Sequence, residues 1–174
     1  SPSVGGVALW AQSYMGENAS TAAKVGNGNG FRVTFDQGAL SVAYADSSLT
    51  TGAGTTNKTS NLGASYDLGV AKLMAQSNTT KLTGAADIKG RNIGAHVPMA
   101  GGTFRISQAQ TDQAGKIAKQ TSVGFVNPLS KRTDLYATYA RVANSGGSAV
   151  GLNGAATAAN QSSTGYEFGV KHSF

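Results

Sequence analysis

The sequence predicts an all-β fold, a transmembrane antiparallel up-and-down β-barrel of about ten strands, and three observations carry that reading. Apolar residues recur at every second position in segments of about 8–11 residues, the period of a strand with two unlike faces. The connections between segments alternate short and long, as they do when strands run up and down between two rims. Only 13% of the residues are charged and 24 of the 174 are Gly, roughly half and double the usual shares, so the outside of the protein need not be wetted throughout.

The segments follow in order. Val7, Leu9, Ala11, Ser13 and Met15 share one face of the first, and Phe31, Val33 and Phe35 one face of the second. Leu40, Val42 and Tyr44 come next, then Leu62, Ala64 and Tyr66, then Ala71, Leu73 and Ala75. Ile93, Ala95 and Val97 form the sixth, Phe104 and Ile106 the seventh, and Thr121, Val123 and Phe125 the eighth. Leu135, Ala137 and Tyr139 mark the ninth, and Tyr166, Phe168, Val170, His172 and Phe174 the tenth. Opposite faces carry small or polar residues, among them Thr34, Ser41, Gln76, Asn92, His96 and Ser107.

Short turns fall at Asp36-Gln37-Gly38, Asp67-Leu68-Gly69, Pro98 to Gly102 and Asn127 to Lys131, where Gly, Asn, Asp and Pro supply turn angles. Long polar connections are expected at Gly16 to Asn29, Asp46 to Ser60, Ser77 to Gly90, Gln108 to Lys116 and Ala143 to Thr164. In an outer-membrane barrel the short turns are periplasmic. Aromatic residues cluster near segment ends, at Trp10 or Tyr14, Tyr44, Tyr66, Tyr139, Tyr166 and Phe174, as an interfacial girdle requires. By strict parity Trp10 and Tyr136 fall on the inner face, which means either a slipped register or side chains that fill the lumen wall.

A transmembrane helix needs about 18 or more consecutive apolar residues, and the sequence has no such run; its mean hydropathy is −0.17. The absence of cysteine excludes disulfides, thiolate metal sites and cysteine nucleophiles. The chain is basic, with net charge +6 and pI near 9.7, yet its Lys and Arg are scattered and no nucleic-acid partner is expected. His96 has no acid in its local motif and His172 lies on the outward face, so no enzyme, metal or cofactor is expected.

If the inner face of such a barrel is wet, its charges bias which ions can enter. Parity turns Arg32, Lys72, Arg105 and Lys171 inward against Asp36 and Glu167, an excess of positive charge that favours anions. Arg91, Lys119 and Arg141 lie near the long-connection ends, with outward or uncertain parity, at the height of outer-leaflet lipid phosphates.

The last ten residues, Gly165 to Phe174, place apolar or aromatic groups at every second position back from a terminal Phe. With this strand, the stretch Leu129 to Ala140, the segment Ala64 to Lys72 and the turn Asp36 to Leu40, the sequence resembles the trimeric general porins of β-proteobacteria, of the Burkholderia, Comamonas and Neisseria type. The resemblance implies an outer-membrane, water-filled channel for passive diffusion of small hydrophilic solutes. It implies that Tyr166, Phe168, Val170 and Phe174 are the signal read by the barrel-assembly machinery. It implies a homotrimer in contact with lipid bilayer and lipopolysaccharide. Members are about twice this length and form barrels of about 16 strands. Residues 1–174 therefore look like the C-terminal part of one barrel domain, with Ser1-Pro2-Ser3 near the family's middle, and the N-terminal strands and constriction loop are expected from elsewhere. A self-closed ten-stranded barrel is also geometrically allowed. Two other classes compete: an autotransporter or adhesin-type translocator barrel, which needs a lumen-spanning helix, and a soluble β-sandwich binding module, which alternates in the same way.

Overall fold

The computed structural model describes residues 4–17, 24–52 and 54–173. All ten segments are strands: β1 (Val7–Tyr14), β2 (Gly28–Gln37), β3 (Leu40–Gly52), β4 (Thr55–Asp67), β5 (Lys72–Lys81), β6 (Ile88–Met99), β7 (Gly102–Gln113), β8 (Lys116–Ser130), β9 (Thr133–Ser145) and β10 (Ser162–His172). They form one antiparallel sheet in chain order. Among the described residues β1 pairs with β2 alone and β10 with β9 alone, so the sheet is an open arc and not a self-closed ring. Phe174 and Ser1 to Ser3 lie outside the described residues.

Local chemistry sets the short turns. Gln37 pairs with Leu40 across a two-residue turn whose first member, Gly38, has φ +57°. Met99 pairs with Gly102 around Ala100 and Gly101, both in the left-handed region, the hairpin geometry that matches strand twist. Asp67 Oδ1 accepts a hydrogen bond from the Gly69 amide at 2.8 Å and fixes the β4–β5 turn; Ala71 belongs to that turn and not to β5.

Three of the five expected long connections are corrected. Asp46 to Ser60 is nearly all strand, paired from Asp46↔Ser60 up to Gly52↔Thr55. Gln108 to Lys116 shrinks to the tight turn Ala114-Gly115, and Ser77 to Gly90 shrinks to 82–87. Only 15–27 and 146–161 remain long. The physical reason is that both faces of these strand ends are wet, so alternation disappears and Ser, Thr and Asn read as loop. Cross-strand pairs hold them instead, such as Thr59 Oγ1 to Thr80 Oγ1 at 3.2 Å and Thr83 Oγ1 to the Thr56 carbonyl at 2.9 Å.

Cross-strand pairing sorts the residues onto two faces. One rung runs Leu40–Tyr66–Leu73–Ala95–Ile106–Val123–Tyr139–Tyr166 across eight strands, apolar or aromatic at every step. This face is open to the outside: on the rung itself Tyr166 is 78% exposed, Tyr66 48% and Leu73 46%. The buried apolar residues among those described are Ala8, Ala118 and Val142. A single layer with so little interior cannot fold by packing against itself in water, which removes the β-sandwich. Covering each Val, Leu, Ile or Phe of the outer face with hydrocarbon is worth ~1.5–3 kcal/mol, and that cover has to come from outside the sheet.

Candidate functional site

The opposite face is concave and polar. Its main rung runs Asp67–Lys72–His96–Arg105–Gly124–Thr138–Glu167, one residue from each of seven neighbouring strands. The alternation that turns Leu73, Ile106 and Phe168 outward turns Lys72, Arg105 and Glu167 inward. Arg105, His96, Ser107, Thr138, Tyr136 and Lys171 line a common trough of about 740 Å³. Three of the six expected lumen residues thus share one rung, and Lys171 joins the trough from β10.

Arg32 and Asp36 stand apart from this group, on β2. Arg32 is followed along its rung by Ala45 and Asn61, and Asp36 by Ser41 and Ser65. Trp10 is on the inner face beside Arg32, whose guanidinium carbon lies 3.9 Å from the ring centroid. The register does not slip: Trp10 lines the wall as a cation–π platform. Tyr14 has the same parity and covers Gly28, so both residues leave the expected outer girdle, while Tyr44, Tyr66, Tyr139 and Tyr166 keep the outward face. Tyr136 also lines the wall. Its hydroxyl donates to Glu167 Oε1 at 2.8 Å, and its ring lies over Gly169.

Sequence reasoning left several wall residues out. Asp67 and Asp134 look like turn residues, yet Asp67 is directly opposite Lys72 and Asp134 directly opposite Lys171. Lys116 opens β8 on the inner face at the opposite rim. The signal was available, since parity carried one residue past each apolar run reaches Asp67 and Asp134. The carboxylates Asp36, Asp67 and Asp134 sit at strand ends beside the short turns, whereas Arg32 and Arg105 stand further along the wall.

The connection 146–161 folds over this wall at the long-connection rim. Leu152 lies against Gly165, and its amide donates to Ser163 Oγ at 3.2 Å; both partners are inner-face positions on β10. Asn144, 8% exposed, is the anchor. Its amide nitrogen donates to the carbonyls of Val150 and Gln161, and its Oδ1 accepts from Ser148 Oγ and the Val150 amide. Val142 beneath is 2% exposed. Removing the anchor strands the buried Ser148 hydroxyl and the part-buried backbone groups of Val150 and Gln161, at ~1–3 kcal/mol for the buried one. Asn144→Ala is therefore expected to speed proteolytic cleavage within 146–161 by about tenfold while the rest of the sheet stays resistant.

On the outer face Arg91, Lys119 and Arg141 form a diagonal basic group just beyond the apolar belt. Arg91 and Lys119 flank Gln110 on one rung, and Arg91 Nη2 donates to Gln110 Oε1 at 2.8 Å. Arg141 is one step nearer the belt on β9, donating to Ser162 Oγ at 3.2 Å.

The Gram-negative porin profile matches residues 1–147. Outer membrane porin protein 32 of Delftia acidovorans is 34% identical over 173 residues, covering 91% of this chain and 49% of that protein. The chain thus spans about half the length of this curated relative. The anion-selective porin of Comamonas acidovorans superposes with a TM-score of 0.91 at 32% identity, over 99% of this chain and 57% of that one. OmpT of Vibrio cholerae, an outer-membrane protein, has the same fold at a TM-score of 0.66 and 12% identity, over 94% of this chain and 60% of its own.

Proposed function

This chain belongs to the Gram-negative porin family, and from that premise we propose that it is the C-terminal wall section of a single barrel domain of about 16 strands. Its place is the outer membrane of a Gram-negative bacterium. The barrel is a water-filled channel rather than an enzyme, and it passes small hydrophilic solutes and ions by passive diffusion with a preference for anions. The observation that carries the reading is the opposition of two rungs on one sheet: an unbroken apolar rung outside and a charged rung centred on Lys72, His96 and Arg105 inside.

The inner face holds Arg32, Lys72, Arg105, Lys116 and Lys171 against Asp36, Asp67, Asp134 and Glu167. Total charge is thus nearly balanced, and the preference comes from position. Three of the carboxylates stay at the short-turn rim, Glu167 is held by Tyr136, and Arg105 lines the trough. A cation projecting into a low-dielectric-walled channel lowers the cost of anion entry. The relative that superposes over nearly the whole chain is itself described as anion-selective.

The open edges of β1 and β10 receive the remaining strands of the barrel, because unpaired backbone groups in hydrocarbon cost several kcal/mol each. The porin works as a homotrimer, with the outer face of β10 among the contacts. Tyr166, Phe168, Val170 and Phe174 present the strand to the barrel-assembly machinery. Arg91, Lys119 and Arg141 meet the phosphates of lipopolysaccharide above the bilayer's apolar core. The test is the zero-current potential of the full-length protein in a planar bilayer under a KCl gradient. Stepwise conductance with the anion-permeable sign is expected; a cation-permeable sign overturns the charge assignment.

A further inference from the structure

We propose that Lys72, His96 and Arg105 form a binding station for a small divalent oxyanion, and that a proton on His96 strengthens it. This rests on the channel reading above and names the ligand class of the same wall.

The three side chains are consecutive on one inner rung, from β5, β6 and β7. Directly opposite residues in a sheet have Cβ atoms about 4.5–5.5 Å apart, and like charges there repel. Among the described residues, no acid is opposite His96 or Arg105. Among the described residues, none of the three makes a hydrogen bond or an ion pair. Asp67 is opposite Lys72 only, at the end of the row. A row of unpaired cationic donors in a wet wall calls for a counter-ion from solution.

The wall also leaves room for one. The position after Arg105 on the rung is Gly124, where a Cβ would stand 3.2 Å from Thr138 Oγ1. Gly94, two residues from His96 on β6, would place a Cβ 3.3 Å from that of Ser107. Glycine at both places keeps the floor beside Arg105 clear. It also leaves the Ser107, Ser122 and Thr138 hydroxyls, which line the same trough, available as donors. Lys and Arg flank the shorter His, and both are long enough to lean over it. An ammonium, a guanidinium and an imidazole together offer many N–H donors, which match the several acceptor oxygens of an oxyanion better than a chloride. Two fixed positive charges, and a third when His96 is protonated, favour a divalent ion over a monovalent one.

His96 is faced by Lys72 from β5 and Arg105 from β7. Asp67 lies beyond Lys72, Glu167 closes the far end of the rung, and Lys171, Asp134 and Tyr136 line the trough across from it. Of these types only histidine ordinarily changes charge between about pH 5 and 8.

The experiment uses the full-length porin in planar bilayers, with chloride current measured as inorganic sulfate is added at pH 5.5 and pH 8. Sulfate keeps its double charge across that range. Saturable block is expected, with a half-blocking concentration about fivefold lower at pH 5.5. His96→Gln should keep the block and lose its pH dependence, and Arg105→Gln should weaken the block by about tenfold at both pH values. An anion-permeable channel that sulfate does not block saturably overturns the station and leaves the channel reading standing. So does a block in His96→Gln with the same pH dependence as in the parent. No conductance from the folded, inserted trimer overturns the channel reading itself.

Discussion

Exchanging Lys72 and Arg105 together for glutamate turns the inner rung acidic, and the zero-current potential under a KCl gradient moves toward the cation-permeable side. A unit charge about 6 Å from a permeating ion contributes ~0.7 kcal/mol in water, and roughly half that after screening at 0.1 M salt. Each exchange changes the local charge by two, and the effects on anion and cation have opposite signs. The anion-to-cation permeability ratio is therefore expected to fall by at least about tenfold at 0.1 M KCl, and by less at 1 M, where the Debye length is about 3 Å. The same exchange at Arg91 and Lys119, on the outer face, should leave the ratio close to that of the parent.

The second large effect concerns the other face. Ala95 is opposite Leu73 on β5 and Ile106 on β7, with Ile93 and Val97 its same-face neighbours along β6. Arginine there would put a guanidinium into hydrocarbon with apolar side chains on all four sides. The expected cost is ~2–4 kcal/mol, the value for a cation on the lipid face near the bilayer midplane. Folding into detergent or lipid, followed by loss of heat-resistant mobility on denaturing gels, should show a lower yield and an earlier unfolding transition. Ser122→Arg, on the inner face opposite Ser107 and Ala140, serves as the control and should fold nearly as well as the parent.

Both predictions depend on parity, and parity was the part most legible in the sequence. Strands that cross the apolar belt alternate strictly, so the register of Leu40, Tyr66, Leu73 and Tyr139 could be read without any structure. The strand ends beyond the belt could not. Thr55 to Ser60 has water on both sides and no reason to alternate, so it looked like a loop although it pairs residue by residue with β3. Trp10 and Tyr14 were misleading in another way. An aromatic near a strand end fits a girdle, but it can also cover a cation or a glycine on the inner wall, and only the pairing partners Arg32 and Gly28 decide. Asn144 was invisible. Its role comes from four contacts to a connection with no periodicity, and nothing in a stretch of Ser, Gly, Ala and Asn marks one asparagine as the anchor. In the sequence His96 has no neighbouring acid to mark it; its place between Lys72 and Arg105 appears only when β5, β6 and β7 are side by side.

The central claim is that one face of this sheet meets lipid and the other lines water, and cysteine accessibility tests it most directly. These 174 residues hold no cysteine, and each single-cysteine variant is compared with the parent porin treated in the same way. In the assembled, membrane-inserted porin, cysteines at Ser65, Ser122 and Thr138 should react rapidly with a small cationic thiol reagent added to water and shift the channel current. Cysteines at their sequence neighbours Ala64, Val123 and Ala137 should stay protected by lipid and leave the current unchanged. Equal reactivity of neighbouring positions, or protection of the first set with reaction of the second, would contradict the account.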